Sequence, residues 1–305
     1  MTSENNTTLK VENVSKHYGD FTAVDNLSFN VKAGRVFGFL GPNGAGKTTT
    51  IRMIVGINFP DEGKIELFGN RVSTDLQNRI GYLPEERGLY KKMKILDQLR
   101  YFSALKNVPQ SEADKRIDFW LERMNLSEWK KKKTTDLSKG MQQKIQFIST
   151  VLHNPDLLIL DEPFSGLDPI NVEFLKEVIS ELKAQSKTII FSTHLMETAE
   201  QLCDDILLIN KSRKVVSGSL REVKASFSKN LIALRAVGGD SVLEDKTLVA
   251  KVTAHADEKE LVLAENADAQ ILLKNLLENG AIISKFEQIE PSLNDIFIEK
   301  IRGNR

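Results

Sequence analysis

The chain carries a single cysteine, Cys203, in 305 residues. One thiol cannot build an internal disulfide framework, which removes the small secreted scaffolds and suits a reducing compartment. Charge of one sign is not in excess either: 42 Lys and Arg face 42 Asp and Glu, for a formal net charge of zero. Proteins that grip nucleic acid through many phosphates usually carry a basic surplus, so no nucleic-acid partner is expected. No apolar run approaches the ~20 residues that a membrane-spanning helix needs. Met1 to Thr8 lack a basic start and an apolar stretch, so they do not read as a secretory signal. They are expected to form a disordered tail. Internal repeats and low-complexity stretches are also missing. What remains is ordinary globular composition, 41% hydrophobic and 28% charged, with enough apolar material for one large domain and a smaller one.

From Leu9 onward, short apolar runs alternate with helical patterns, the signature of an α/β domain with a largely parallel sheet. Arg35–Leu40 reads as a strand followed by a glycine-rich turn and a helix over Thr49–Val55. Leu157–Leu160 and Thr188–Phe191 are apolar at consecutive positions, as strands covered on both faces are. Residues from about Lys91 to Lys133 turn polar, amphipathic and helical, and a helical subdomain is expected over about 91–153. The first domain is placed at residues 9–220. A small α/β domain is placed at 225–305, reading strand, strand, helix, strand, helix. In it, Ala269, Leu272, Leu273 and Leu276 make a stripe that Gly280 stops, and Ser292 with Asp295 resembles a helix start.

Three constellations carry chemistry. Gly41-Pro42-Asn43-Gly44-Ala45-Gly46-Lys47-Thr48 fits the phosphate-binding loop G-x-x-x-x-G-K-[ST]. Its glycines let backbone N–H groups turn inward on phosphate, and the following helix adds its positive dipole end. Lys47 can reach the β- and γ-phosphates, and the Thr48 hydroxyl can ligate Mg²⁺. In Leu157–Pro163 a buried strand ends on two acids. Asp161 would hold Mg²⁺, directly or through water, and Glu162 would be the general base. Leu137-Ser138-Lys139-Gly140-Met141 opens a helix whose Met141, Ile145, Ile148 and Leu152 share a face. Ser138 and Gly140 there form a second anion site, which calls for a phosphate supplied by another subunit, although serine at a helix start is also commonplace capping. Asp168, just past the acids, sits where it also caps the helix that Pro169 opens, and His194 follows the strand ending at Thr193.

These motifs in this order resemble the nucleotide-binding subunits of ATP-binding cassette (ABC) transporters, over roughly residues 9 to 220. The resemblance implies that Tyr18 stacks on adenine. Gly41, Asn43, Gly44, Ala45, Gly46, Lys47, Thr48 and Thr49 would be the Walker A loop. Asp161 would be Walker B, Glu162 the catalytic glutamate, Ser138 and Gly140 the signature loop, Asp168 the D-loop and His194 the switch histidine. In that family two subunits sandwich two ATP molecules head to tail and drive membrane subunits. The resemblance thus implies ATP and Mg²⁺ as ligands. It also implies a second copy or homologous ATPase subunit and integral membrane permeases as partners, and a place on the cytoplasmic face of the membrane.

Two departures stand out. The family's L-S-G-G-Q reads Leu137-Ser138-Lys139-Gly140-Met141 here, and the glutamine of the family's glutamine loop is replaced by Glu85, which remains able to ligate Mg²⁺. With the ending Ser292–Phe297, these departures resemble a bacterial export subgroup that includes sodium- and drug-export ATPases. The alternative is a soluble mechanical ATPase of translation or DNA repair. Such relatives usually carry two cassettes or a long coiled coil, and this chain has neither.

Overall fold

The computed structural model describes residues 6–86, 88–227, 231–255, 257–264 and 267–302. Residues 1–5 of the expected tail, Arg87 in the loop after Glu85, and Ser228 in the expected junction lie outside them. By its internal contacts the chain divides into two units, residues 1–218 and 219–305.

The first unit runs β1 (Thr7–Tyr18), β2 (Phe21–Lys32), β3 (Val36–Leu40), α1 (Lys47–Ile54), β4 (Glu62–Leu67), β5 (Asn70–Arg71) and β6 (Ile80–Leu83). It continues with α2 (Ile95–Leu105), α3 (Gln110–Arg123), α4 (Lys139–Val151), β7 (Leu157–Asp161), α5 (Pro169–Ala184) and β8 (Thr188–Thr193). It closes with α6 (Met196–Leu202), β9 (Asp205–Asn210) and β10 (Arg213–Ser219).

Six of these strands form one sheet in the order β10-β9-β3-β8-β7-β6, parallel from β9 through β6. Every residue of β3, β7 and β8 is buried, as their unbroken apolar runs require of central parallel strands. A second, antiparallel sheet, β2-β1-β4-β5, shares its core with the first: Leu9, Val11 and Leu67 join Phe37, Phe39, Ile159 and Ile190 around α1. The helices α2, α3 and α4 stand where the polar, amphipathic stretch begins and ends.

The second unit runs α7 (Leu220–Phe227), β11 (Leu231–Val237), α8 (Asp240–Leu243), β12 (Val249–His255), β13 (Glu258–Leu263), α9 (Ala269–Glu278), β14 (Ile282–Gln288) and α10 (Leu293–Arg302). Its antiparallel sheet, β12-β13-β11-β14, buries Ile232, Leu234, Leu261 and Leu263 with Leu272 and Leu276 of α9. The stop at Gly280 (φ 76°) and the Ser292–Asp295 start appear as expected, with the Asp295 amide donating to the Ser292 hydroxyl at 3.1 Å.

Three expectations are corrected. Thr7 and Thr8 are not tail: they begin β1, where Thr7 pairs with Lys32 and Thr8 is buried with its hydroxyl 3.2 Å from that of Thr188. β-branched residues suit such a half-buried strand, and the polar composition hid it. The second unit holds one more strand and two more helices, α7 and α8, than the pattern suggested; the strand was hidden because Val249–His255 mixes polar and apolar residues and offers no apolar run. The division falls after Gly218, and α7 sits with the second unit, where the Lys300 ammonium lies 5.1 Å over the Phe227 ring.

Candidate active site

Strand β3 ends at Leu40, and the chain loops from Gly41 to Gly46 before α1 begins at Lys47. Glycine is required at both ends of this loop. A Cβ on Gly41 (φ 153°) would stand 2.3 Å from the Ile209 carbonyl oxygen, and one on Gly46 (φ 106°) would stand 2.4 Å from that of Ala23. The loop is therefore pressed between β9 and β2. No side chain caps α1 at its N-terminus, so its first amides face the loop. Lys47 is buried, and its ammonium donates to the carbonyls of Gly41 (2.7 Å) and Pro42 (3.3 Å). It also lies 3.3 Å from Glu162 Oε1.

The acids come from the neighbouring strand. β7 lies parallel to β8 with Asp161 opposite Ser192. The Ser192 hydroxyl donates to Asp161 Oδ1 at 2.5 Å and accepts the Glu162 amide at 2.9 Å, so one serine fixes both acids. Glu162 holds a left-handed backbone conformation (φ 47°), which costs a non-glycine residue energy and turns its carboxylate off the strand axis. His194 Nδ1 faces that carboxylate at 3.2 and 3.3 Å. Asp161 is fully buried. Burial raises its pKa, Glu162 adds to the rise, and the hydroxyls of Ser192 and Thr48 and the Lys47 charge pull the other way. Its Oδ2 is buried with no hydrogen-bond partner among the described residues. Burial also pushes the Tyr82 phenol up to about 12, with the Asp161 charge as the next cause.

Of these groups, Lys47 and Glu162 line a cleft of about 400 Å³ whose walls are Phe21, Ala23, Pro42 to Thr49, Glu85 and Glu162, while Gly41, Asp161 and His194 stand outside that lining. Asn43, Gly44, Ala45, Gly46, Lys47, Thr48 and Thr49 thus gather with Glu85 and Glu162 as the motifs suggested. Tyr18 is not among the described lining: its hydroxyl accepts from Asn58 at 2.9 Å, and Lys16 lies 5.7 Å from its ring. Phe21, paired with Tyr18 across the hairpin, occupies the wall instead.

Ser138, Gly140 and Asp168 do not line this cleft. Ser138 is exposed and caps α4, accepting the Met141 amide at 3.3 Å. Asp168 caps α5 through the Asn171 amide at 3.0 Å. Sequence reasoning missed Ser192 and Phe21. A serine inside an otherwise apolar strand next to the acid-bearing one was the available signal for the first; nothing marked the second.

Residues 24–165 match the ABC transporter family, and residues 218–301 match the DrrA1-3-like ATP-binding protein C-terminal domain. The chain is 47% identical to an ABC transporter ATP-binding protein of Bacillus subtilis, YhaQ, over 96% of this chain and 98% of that one. It is 37% identical to a Nod factor export ATP-binding protein of Ralstonia nicotianae, over 70% of this chain and 68% of that one. Among solved structures, an ATP-binding subunit of an ABC transporter superposes with a TM-score of 0.68 at 32% identity, covering 72% of this chain and 93% of the other. Among the described residues no helix is long and apolar enough to cross a membrane. With a phosphate-type loop, a buried acid pair and a likeness to a transporter subunit that runs nearly end to end, the chain belongs to the ABC transporter ATP-binding proteins and is a transport-coupled ATP hydrolase.

Proposed function

We propose that the cleft takes ATP as its Mg²⁺ complex and that Glu162 is the general base of hydrolysis. The observation that carries this reading is the Glu162 carboxylate, held by its Ser192-bound backbone between Lys47 and His194 at the rim of the glycine loop. The backbone N–H groups from Asn43 to Thr49 bind the phosphates, and Lys47 exchanges its loop carbonyls for phosphate oxygens. Tyr18 and Phe21, at the hairpin beside the loop, take the adenine. Glu162 removes a proton from water, the water oxygen bonds to the γ-phosphorus, and the bond from that phosphorus to the bridging oxygen breaks, leaving ADP and phosphate. His194 orients the Glu162 carboxylate and donates to the γ-phosphate.

A divalent cation fits the residues present. The buried Asp161 Oδ2, without a partner among the described residues, and the nearby Thr48 hydroxyl make an oxygen site that suits a divalent cation, whose charge would offset the burial that raises the pKa of that carboxyl. Thr48, Asp161 and Glu85 would hold it. A bound ion would neutralise the charge that builds on the phosphates.

Ser138 and Gly140 are not part of their own cleft's lining, which supports a head-to-tail dimer in which each signature loop binds the partner's γ-phosphate, with Asp168 at the seam. The dimer works on separate membrane permeases, and kinship to an export ATP-binding protein supports outward transport on the cytoplasmic face of a membrane.

The test is Glu162→Gln. Hydrolysis should fall about 100-fold or more while ATP binding persists, and the variant should elute as a dimer with ATP and Mg²⁺. Parental hydrolysis in this variant would remove Glu162 as the base. Co-purification of a polytopic membrane protein from detergent extracts of the native host checks the coupling.

A further inference from the structure

Among the polar groups buried in the first unit, Gln146 of α4 is one that neither the motifs nor the reaction employs. Its side chain is 3% exposed, and its amide nitrogen donates to two loop carbonyls at once, Pro84 at 3.2 Å and Glu86 at 3.1 Å. Those two residues bracket Glu85, which lines the nucleotide cleft. The amide oxygen is buried with no partner among the described residues, so the hydrogen bonds of this head group go to the loop. Burying a half-satisfied amide is costly, and an apolar side chain of the same length would pack there without that cost.

The helix is seated closely enough for the amide to act as a strut. A Cβ on Gly81 would stand 2.4 Å from the Thr150 carbonyl oxygen, so β6 and α4 touch backbone to backbone. Thr150 also spans the junction, its hydroxyl placed 2.9 Å from the Gln146 carbonyl oxygen and 3.4 Å from that of Tyr82. The same helix is capped by Ser138, about 12 Å away along its axis at 1.5 Å per residue.

We propose that Gln146 is a positioning residue that holds Glu85 in the cleft and makes that carboxylate follow α4. Contact of Ser138 with a partner's phosphate at one end of the helix is thereby felt by Glu85 at the other, along one rigid element. This rests on the reading that Glu85 helps to hold Mg²⁺.

The experiment compares the full chain with Gln146→Leu, Glu85→Ala and the double variant; Gln146→Met replaces Gln146→Leu if the latter misfolds. Two readouts are taken: amide deuterium uptake across residues 82–90 without metal or nucleotide, and the Mg²⁺ concentration giving half-maximal ATP hydrolysis. Gln146→Leu should speed exchange in that loop about fivefold or more and leave the rest of the first unit unchanged. It should raise the Mg²⁺ requirement about fivefold with ATP affinity in EDTA unaltered, and add almost nothing in the Glu85→Ala background. Unchanged loop exchange, or shifts that multiply in the double variant, would overturn the proposal. If Gln146→Leu frees the loop but Glu85→Ala leaves the Mg²⁺ requirement at its parental value, the strut stands and the metal reading of Glu85 falls.

Discussion

The two units of this chain treat buried polarity in opposite ways. Every buried polar or charged side chain among the described residues lies before residue 219, including Lys47, Gln98, Gln143, Gln146, Asp161, Glu162 and Ser192. Among the described residues, the buried side chains of the second unit are all apolar, from Val223 to Ile296. Its charges stay near the surface, as where Glu258 meets Lys285 at 3.0 Å and Arg235 at 3.5 Å. Burying a polar group costs energy unless it is partnered, so such groups accumulate where position matters more than stability. By that measure the first unit is built around a reaction and the second around a hydrophobic core.

The sharpest way to break this contrast is to damage the second core and watch the first unit's chemistry. Leu276 is fully buried beneath the sheet, packed with Leu272 and Leu261. Leu276→Ala should destabilise the second unit by about 2–5 kcal/mol through lost burial and the cavity left behind. Calorimetry should show a lower unfolding transition, while ATP affinity changes less than about twofold, because no wall of the cleft comes from residues beyond Glu162. A large loss of affinity would show that the second unit does more than pack.

The converse test removes one buried hydroxyl. Ser192→Ala deletes the donor to Asp161 Oδ1 and the acceptor of the Glu162 amide in one step. It should cost about 1–3 kcal/mol of stability, since a fully buried carboxylate loses its partner. It should also lower kcat about 10-fold or more with little change in KM, because ATP contacts the loop rather than the serine. Stability lost without a change in kcat would make Ser192 purely structural.

How much of this was legible beforehand follows the distance over which each feature is written. The phosphate loop and the acid pair are local patterns: a strand, a glycine-rich turn and a helix within residues 36–54, and an apolar strand ending in Asp161-Glu162. Local patterns survive in a single sequence. Ser192 acquires its role only through the β7–β8 register, which brings it opposite Asp161 from 31 residues away. Gln146 reaches Glu86 across 60 residues, and nothing nearby in the chain announces the contact. Tyr18 shows the same division. The family resemblance singled the residue out, but the Asn58 amide and Lys16 ammonium that engage its side chain were not legible. The strand at Val249–His255 lacked an apolar run, so only its pairing with β13 reveals it.

Acid should separate the two units by a smaller margin, through His153. Its Nε2 donates to the Ile80 carbonyl at 3.0 Å, which leaves Nδ1 as a bare acceptor, buried without a partner among the described residues. Burial lowers its pKa from 6.5 to about 4, outweighing the Ile80 carbonyl, and the charges of Lys106, Arg116 and Lys187 add to the fall. A histidine whose folded pKa is depressed takes up its proton first in the unfolded chain. Between pH 6.5 and about 4 the unfolded state therefore binds more protons, and folding stability drops as the pH falls through that window. With screening at this partly buried site allowed for, the loss is about 1–2 kcal/mol. Denaturant titrations of parent and His153→Gln from pH 7 to 4.5, read at the transition of the first unit, should show the parent losing that much more than the variant. Parallel pH curves would mean that His153 stays neutral at no cost and that the acid sensitivity of this unit lies elsewhere.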